Sequence, residues 1–113
     1  MQIHLGLGSN LGDRRAQLTR ALERLPAYGV QVLRVSPVVE SPAMLPDDAP
    51  ADWNQPFANL VAECATSATP AAVLDGLKAI ERELGRVDRG RWAPRPIDLD
   101  ILLWGRDTLT TER

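Results

Sequence analysis

At 113 residues, 44% hydrophobic, 25% charged and with a formal net charge of −2, the chain is expected to form one domain around one core. It has no apolar run near the roughly 20 residues of a membrane span and begins without the basic and apolar regions of a secretion signal, so a soluble cytoplasmic protein is expected, with no membrane partner. Its charge gives no general affinity for nucleic acid, yet Arg82, Arg86, Arg89, Arg91 and Arg95 fall within fourteen residues, a local basic cluster that suits a small polyanion such as a nucleoside triphosphate.

Residues 2–8 alternate, with Ile3, Leu5 and Leu7 to one side and His4, Gly6 and Gly8 to the other, which predicts a first strand. The small residues leave room for something to approach the backbone, or else mark tight packing or a bulge. His4, the single histidine, reads as solvent-facing or structurally bonded. Gly8-Ser9-Asn10-Leu11-Gly12-Asp13 is a strand-to-helix turn, in which Asn10 is expected to cap and Asp13 to answer from the third helical position. It contains neither a Walker pattern nor G-x-G-x-x-G, so an ordinary turn is favoured over a phosphate loop. Leu11, Leu18, Leu22 and Leu25 lie on one helical stripe, and Pro26 and Gly29 stop the helix.

The β-branched residues of 30–35 signal a second strand, which Ser36-Pro37 interrupts before Val38-Val39-Glu40. Residues 42–56, with four prolines and three aspartates, read as a long loop, either a lid over a site or a disordered stretch. Residues 57–65 read as a third strand, with Phe57, Asn59 and Val61 on one face and Ala58, Leu60, Ala62 and Cys64 on the other. Asparagine is uncommon in strands. Either Asn59 is exposed on an edge strand, or it is held to read the edge of a flat heterocycle. Cys64, the single cysteine, rules out an internal disulfide and reads as a buried thiol.

Thr69-Pro70 caps and starts a second helix, whose apolar stripe is Val73, Leu74, Leu77, Ile80 and Leu84, ending at Gly85. Glu81, four residues after Leu77, stands near that stripe. Residues 97–104 form the last main strand, in which Asp98 and Asp100 share a face, roughly 6.6 Å apart, opposite Leu99, Ile101 and Leu103. Two readings of the pair remain open: a solvated face, or a divalent cation between the carboxylates. Residues 106–113 read as a turn and the start of a further strand. The order β-α-β-β-α-β predicts an α+β, ferredoxin-like antiparallel sheet with two packed helices, the strands ordered 4-1-3-2.

Arg91-Trp92-Ala93-Pro94-Arg95, followed by Ile97-Asp98-Leu99-Asp100-Ile101-Leu102, resembles the 6-hydroxymethyl-7,8-dihydropterin pyrophosphokinases of the folate pathway. Gly8-Ser9-Asn10-Leu11-Gly12 and Phe57-x-Asn59 support the resemblance, which covers the whole chain. It implies transfer of pyrophosphate from ATP to the pterin hydroxymethyl group, with AMP released. By the same resemblance Asp98 and Asp100 hold two Mg²⁺ ions, and Arg86 and Arg95 contact the phosphates. Trp92 belongs to a loop that closes over the site, with Asp98 also facing the pterin hydroxyl. Lys78, Glu81, Arg89, Ile101 and Arg113 fall at nucleotide-contacting positions, although Lys78 stands where the family has a polar amide. On the pterin side Phe57 stacks on the ring, Asn59 bonds its amide edge, and Ser41, Pro42 and Met44 line it.

The family pattern continues beyond the position of Arg113 with a His-Pro pair, a basic residue and a second aromatic that these 113 residues do not include. The alternative expectation is therefore a pterin- or nucleotide-binding domain with little or no catalysis. A third class, a ferredoxin-like RNA-binding domain, lacks the aromatic strand motif and basic charge it needs. A monomer is expected.

Overall fold

The computed structural model describes residues 1–42, 49, 51, 54–85 and 96–105, and the backbone of 107–108. Strand β1 (Gln2–Ser9) leads into helix α1 (Arg14–Arg24) and a 3₁₀ turn (Leu25–Tyr28); β2 (Val30–Val35), β3 (Val39–Ser41) and β4 (Phe57–Thr66) follow. Helix α2 (Pro70–Glu83), β5 (Asp98–Trp104) and the short β6 (Asp107–Thr108) complete the described elements. The sheet is antiparallel, ordered β2-β4-β1-β5-β6, with β3 pairing β4 beyond the end of β2. Read as β5-β1-β4-β2, this is the 4-1-3-2 order expected of the ferredoxin-like arrangement.

Alternation along the central strands explains why the sheet has two unlike faces. Ile3, Leu5 and Leu7 of β1, Ala58, Leu60, Ala62 and Cys64 of β4, and Leu99 and Ile101 of β5 are all buried. They form one core with Leu18 and Ala21 of α1 and Val73, Leu77 and Ile80 of α2. Removing these side chains from water is the main force that fixes the strand register, because a slip by one residue would expose each of them. The opposite face carries His4, Gly6, Gly8, Phe57, Asn59, Asp98 and Asp100, and is covered by neither helix.

The break between β2 and β3 lies at the expected Ser36-Pro37 step. Ser36 bridges it by donating its N–H to the Val61 carbonyl (2.9 Å) and accepting from the Val61 N–H through Oγ (2.9 Å). A side-chain oxygen thus accepts the Val61 N–H at the step where the strand breaks.

Helix α1 begins differently from the sequence expectation. Gly12, at φ +72°, turns the chain so that Asp13 becomes the N-cap, accepting from the Ala16 N–H at 3.1 Å. Asn10 is instead buried and donates to the Gln55 carbonyl (3.1 Å). Leu11 precedes the helix and is 38% exposed, so the apolar stripe starts at Leu18. The α-helix ends at Arg24, just ahead of Pro26, which lies in the 3₁₀ turn, and Gly29 closes that turn in the left-handed conformation at φ +81°. Helix α2 follows the reading closely, with Thr69 accepting from the Ala72 N–H and Pro70 at its start. No described helix is long and apolar enough to cross a membrane.

Candidate functional site

Register brings the candidate residues together. Gly8 of β1 lies opposite Asp98 on one side and Asn59 on the other, and Asn59 in turn faces Val39. One row across the open face therefore reads Asp98, Gly8, Asn59, Val39. The adjacent row places Gly6 between Asp100 and Val61. Directly opposed residues point to the same face of a sheet. The carboxylates and Asn59 thus flank a glycine floor, separated by two strand spacings or roughly 10 Å, the breadth of a small bicyclic ring with one substituent.

Gly8 makes that floor flat. A β-carbon there would lie 3.0 Å from Asn59 Oδ1 and 3.4 Å from Phe57 Cδ1. Asn59 Nδ2 donates to Ser41 Oγ at 2.8 Å, which fixes the amide so that Oδ1 is turned toward Gly8. The reading of Asn59 as exposed on an edge strand is set aside, since β4 is paired on both sides and Asn59 is only partly exposed. Ser41 lies opposite Phe57, so Ser41, Phe57 and Asn59 form one cluster, with Pro42 exposed at its rim.

The strand that carries Phe57 and Asn59 is anchored just ahead of them. Besides the Asn10 bond to Gln55, Arg14 Nη1 donates to the Pro56 carbonyl (3.1 Å), and Arg14 Nη2 pairs with Glu40 at 2.6 Å. Sequence reading missed both anchors. Asn10 and Arg14 look like an ordinary helix start, and their partners lie far along the chain.

Asp98 and Asp100 are partly buried on the open face, and the intervening Leu99 is buried in the core. Their hard oxygen donors fit Mg²⁺, which takes one or two carboxylates and completes its octahedron with phosphate oxygens and water. Among the described residues there is no cluster of three or more His, Cys, Asp or Glu that could hold a metal ion. Glu81 of α2 is 4% exposed, and its Oε2 accepts from the buried Leu99 N–H at 2.8 Å. Ile101 is 2% exposed, its side chain in the core, so it can offer a ligand only backbone; Lys78 is exposed on α2. Met44, Arg86, Arg89, Trp92, Arg95 and Arg113 lie outside the described residues.

A family model described as 7,8-dihydro-6-hydroxymethylpterin-pyrophosphokinase (HPPK) matches residues 4–111. The chain is 43% identical to the 2-amino-4-hydroxy-6-hydroxymethyldihydropteridine pyrophosphokinase of Pseudomonas aeruginosa, over 99% of this chain and 67% of that protein. Its counterpart in Bacillus subtilis is 39% identical, over 97% of this chain and 64% of that one. The folate synthesis bifunctional protein of Chlamydia muridarum is 39% identical over 92% of this chain, which spans 23% of that longer protein. Against the single-named kinases the chain thus spans about two thirds of their length. The match runs through both helices and from β1 to β5, and the chain belongs to the 7,8-dihydro-6-hydroxymethylpterin-pyrophosphokinase family.

Proposed function

We propose that this chain transfers the pyrophosphoryl group of ATP to 6-hydroxymethyl-7,8-dihydropterin. The observation that carries this reading is the row in which Asp98 and Asn59 face each other across Gly8, with Asp100 beside Asp98 on the same face. A pterin lying over Gly8 has its amide edge at Asn59 and its hydroxymethyl group at Asp98. The hydroxymethyl oxygen attacks the β-phosphorus, the bond from that phosphorus to the α,β-bridging oxygen breaks, AMP departs, and the hydroxyl proton passes to water.

In this reading the chain's own residues bind and orient. Asn59, with its Nδ2 engaged by Ser41, presents Oδ1 to a ring N–H donor, and Phe57 packs on the ring face. Ser41, Pro42 and Met44 line the same end. Asp98 and Asp100 would hold two Mg²⁺ ions. Bound there, the metal supplies charge neutralisation on the phosphates and lowers the pKa of the attacking hydroxyl. Arg86 and Arg95, with Arg89 and Arg113, take phosphate oxygens through paired donors. Trp92 closes over the site against water, and Lys78 and the Ile101 backbone serve the nucleotide side. We further propose that the chain works as a monomer in the cytoplasm.

The test is AMP release from ATP, Mg²⁺ and the pterin, followed by nucleotide separation. Asp98→Ala and Asp100→Ala should each lower turnover by about a thousandfold, roughly 4 kcal/mol of transition-state stabilisation. Unchanged turnover in either variant would refute the assignment. Pterin binding by calorimetry without AMP release from the unaltered chain would mark a binding domain instead.

A further inference from the structure

Glu81 sits where helix α2 should be apolar. It follows Val73, Leu77 and Ile80 on the buried stripe and is 4% exposed. A carboxylate is costly there unless hydrogen-bonded, and it is bonded to the N–H of Leu99, the residue between Asp98 and Asp100 (2.8 Å). On its β1 side Leu99 lies opposite Leu7. On the other side, among the described residues, β6 pairs only with Leu103 and Trp104. The Glu81 carboxylate thus ties the middle of the Asp98-Leu99-Asp100 segment to α2.

We propose that Glu81 is a positioning residue for the aspartate pair. Held from the helix at its central amide, the Asp98-Leu99-Asp100 backbone keeps its pleat, and the pleat sets the separation and direction of the two carboxylates. This rests on the reading of Asp98 and Asp100 as metal ligands. It differs from the nucleotide contact that the family resemblance implies for Glu81, because here the carboxylate acts on β5 rather than on a ligand.

The experiment measures Mn²⁺ binding by electron paramagnetic resonance on the full chain in the presence of α,β-methylene-ATP. Glu81→Leu, which removes the acceptor, should weaken Mn²⁺ binding about tenfold and speed hydrogen exchange at the Leu99 amide, with pterin affinity unchanged. Glu81→Gln, which keeps an acceptor at the same reach, should restore Mn²⁺ binding to within about threefold. If Glu81→Leu does not fold, Glu81→Asp replaces it: charge is kept but reach is one methylene shorter, and a comparable loss is expected.

Mn²⁺ affinity equal to the unaltered chain in a folded Leu or Asp variant overturns the proposal. So does a Gln variant as weak as Leu, since charge and not the hydrogen bond would then matter. An equal loss of α,β-methylene-ATP affinity in EDTA also overturns it, by showing a direct nucleotide contact. If the unaltered chain binds no more Mn²⁺ than the Asp98→Asn/Asp100→Asn double variant, the ligand reading itself fails. That failure shows in the unaltered chain, whereas a failure confined to Glu81 shows only in its variants.

Discussion

A β-carbon on Gly8 would stand 3.0 Å from Asn59 Oδ1, an oxygen whose amide is already tied to Ser41. Neither neighbour can yield without disturbing the cluster, so Gly8→Ala should tilt Asn59 and Phe57 out of place. The expected result is a pterin KM raised about tenfold, or about 1.4 kcal/mol, with turnover at saturating pterin within about twofold, read from steady-state AMP release. Gly6→Ala is the control. Its β-carbon would have its nearest contacts with the Leu102 side chain, at 3.3 Å, which is exposed and able to turn aside. Equal effects from the two variants would count against the glycine floor. At this scale the sequence was partly legible: alternation put Asp98 with Asp100, Phe57 with Asn59, and Gly6 with Gly8. It could not show that Gly8 separates Asp98 from Asn59, since that depends on pairing between strands some fifty and ninety residues apart in sequence.

Among the elements, α2 was the most legible, because its cap, starting proline and apolar stripe are all local signals. The start of α1 was not. Asn10 and Asp13 are both good caps, and the choice is settled by the bond from Asn10 to Gln55, forty-five residues away. A similar long-range constraint explains the glycine within α2. A β-carbon on Gly76 would lie 2.9 Å from Tyr28 Cβ and 3.2 Å from its Cγ, so the helix can sit against the 3₁₀ turn only where it has no side chain. In isolation Gly76→Ala should favour the helix by about 1 kcal/mol. Here overpacking of about 1–3 kcal/mol opposes that gain, and a net loss of about 1 kcal/mol is expected in urea unfolding. Added to Tyr28→Gly, which removes the β-carbon as well as the ring, the same change should become neutral or stabilising. Destabilisation of equal size in both backgrounds would show that the contact with Tyr28 is not the cause.

For the whole molecule, the two faces of the sheet and the helix layer set how stability responds to pH. The Glu63 carboxyl on the open face is held below its usual range, chiefly by the hydrogen bond from Arg34. Glu83 is lowered chiefly by the hydrogen bond from Tyr28, with Arg24 adding to it. Depressed carboxyls stabilise the fold above their unfolded pKa and lose that contribution as pH falls through the folded one. Their contributions should therefore be complete above about pH 4.5 and fade in more acid solution.

Cys64 acts at the other end. It is 0% exposed, and burial pushes its thiol from 9.0 up to about 11. A raised pKa gives a contribution that is full below pH 9 and lost as pH climbs toward 11, by about 2 kcal/mol from this group alone. Tyr28 adds to the same limb, since its hydroxyl is held protonated mainly by the hydrogen bond to Glu83. Urea unfolding should show stability nearly level from pH 8 to 9 and falling from there to 11, and Cys64→Ala should flatten the fall while lowering the pH 8 value through the cavity it leaves. The slope separates the two effects, because a cavity costs the same at every pH and a thiol does not. An identical slope in Cys64→Ala would mean that the buried thiol does not titrate with unfolding, and that Tyr28 alone carries the alkaline limb.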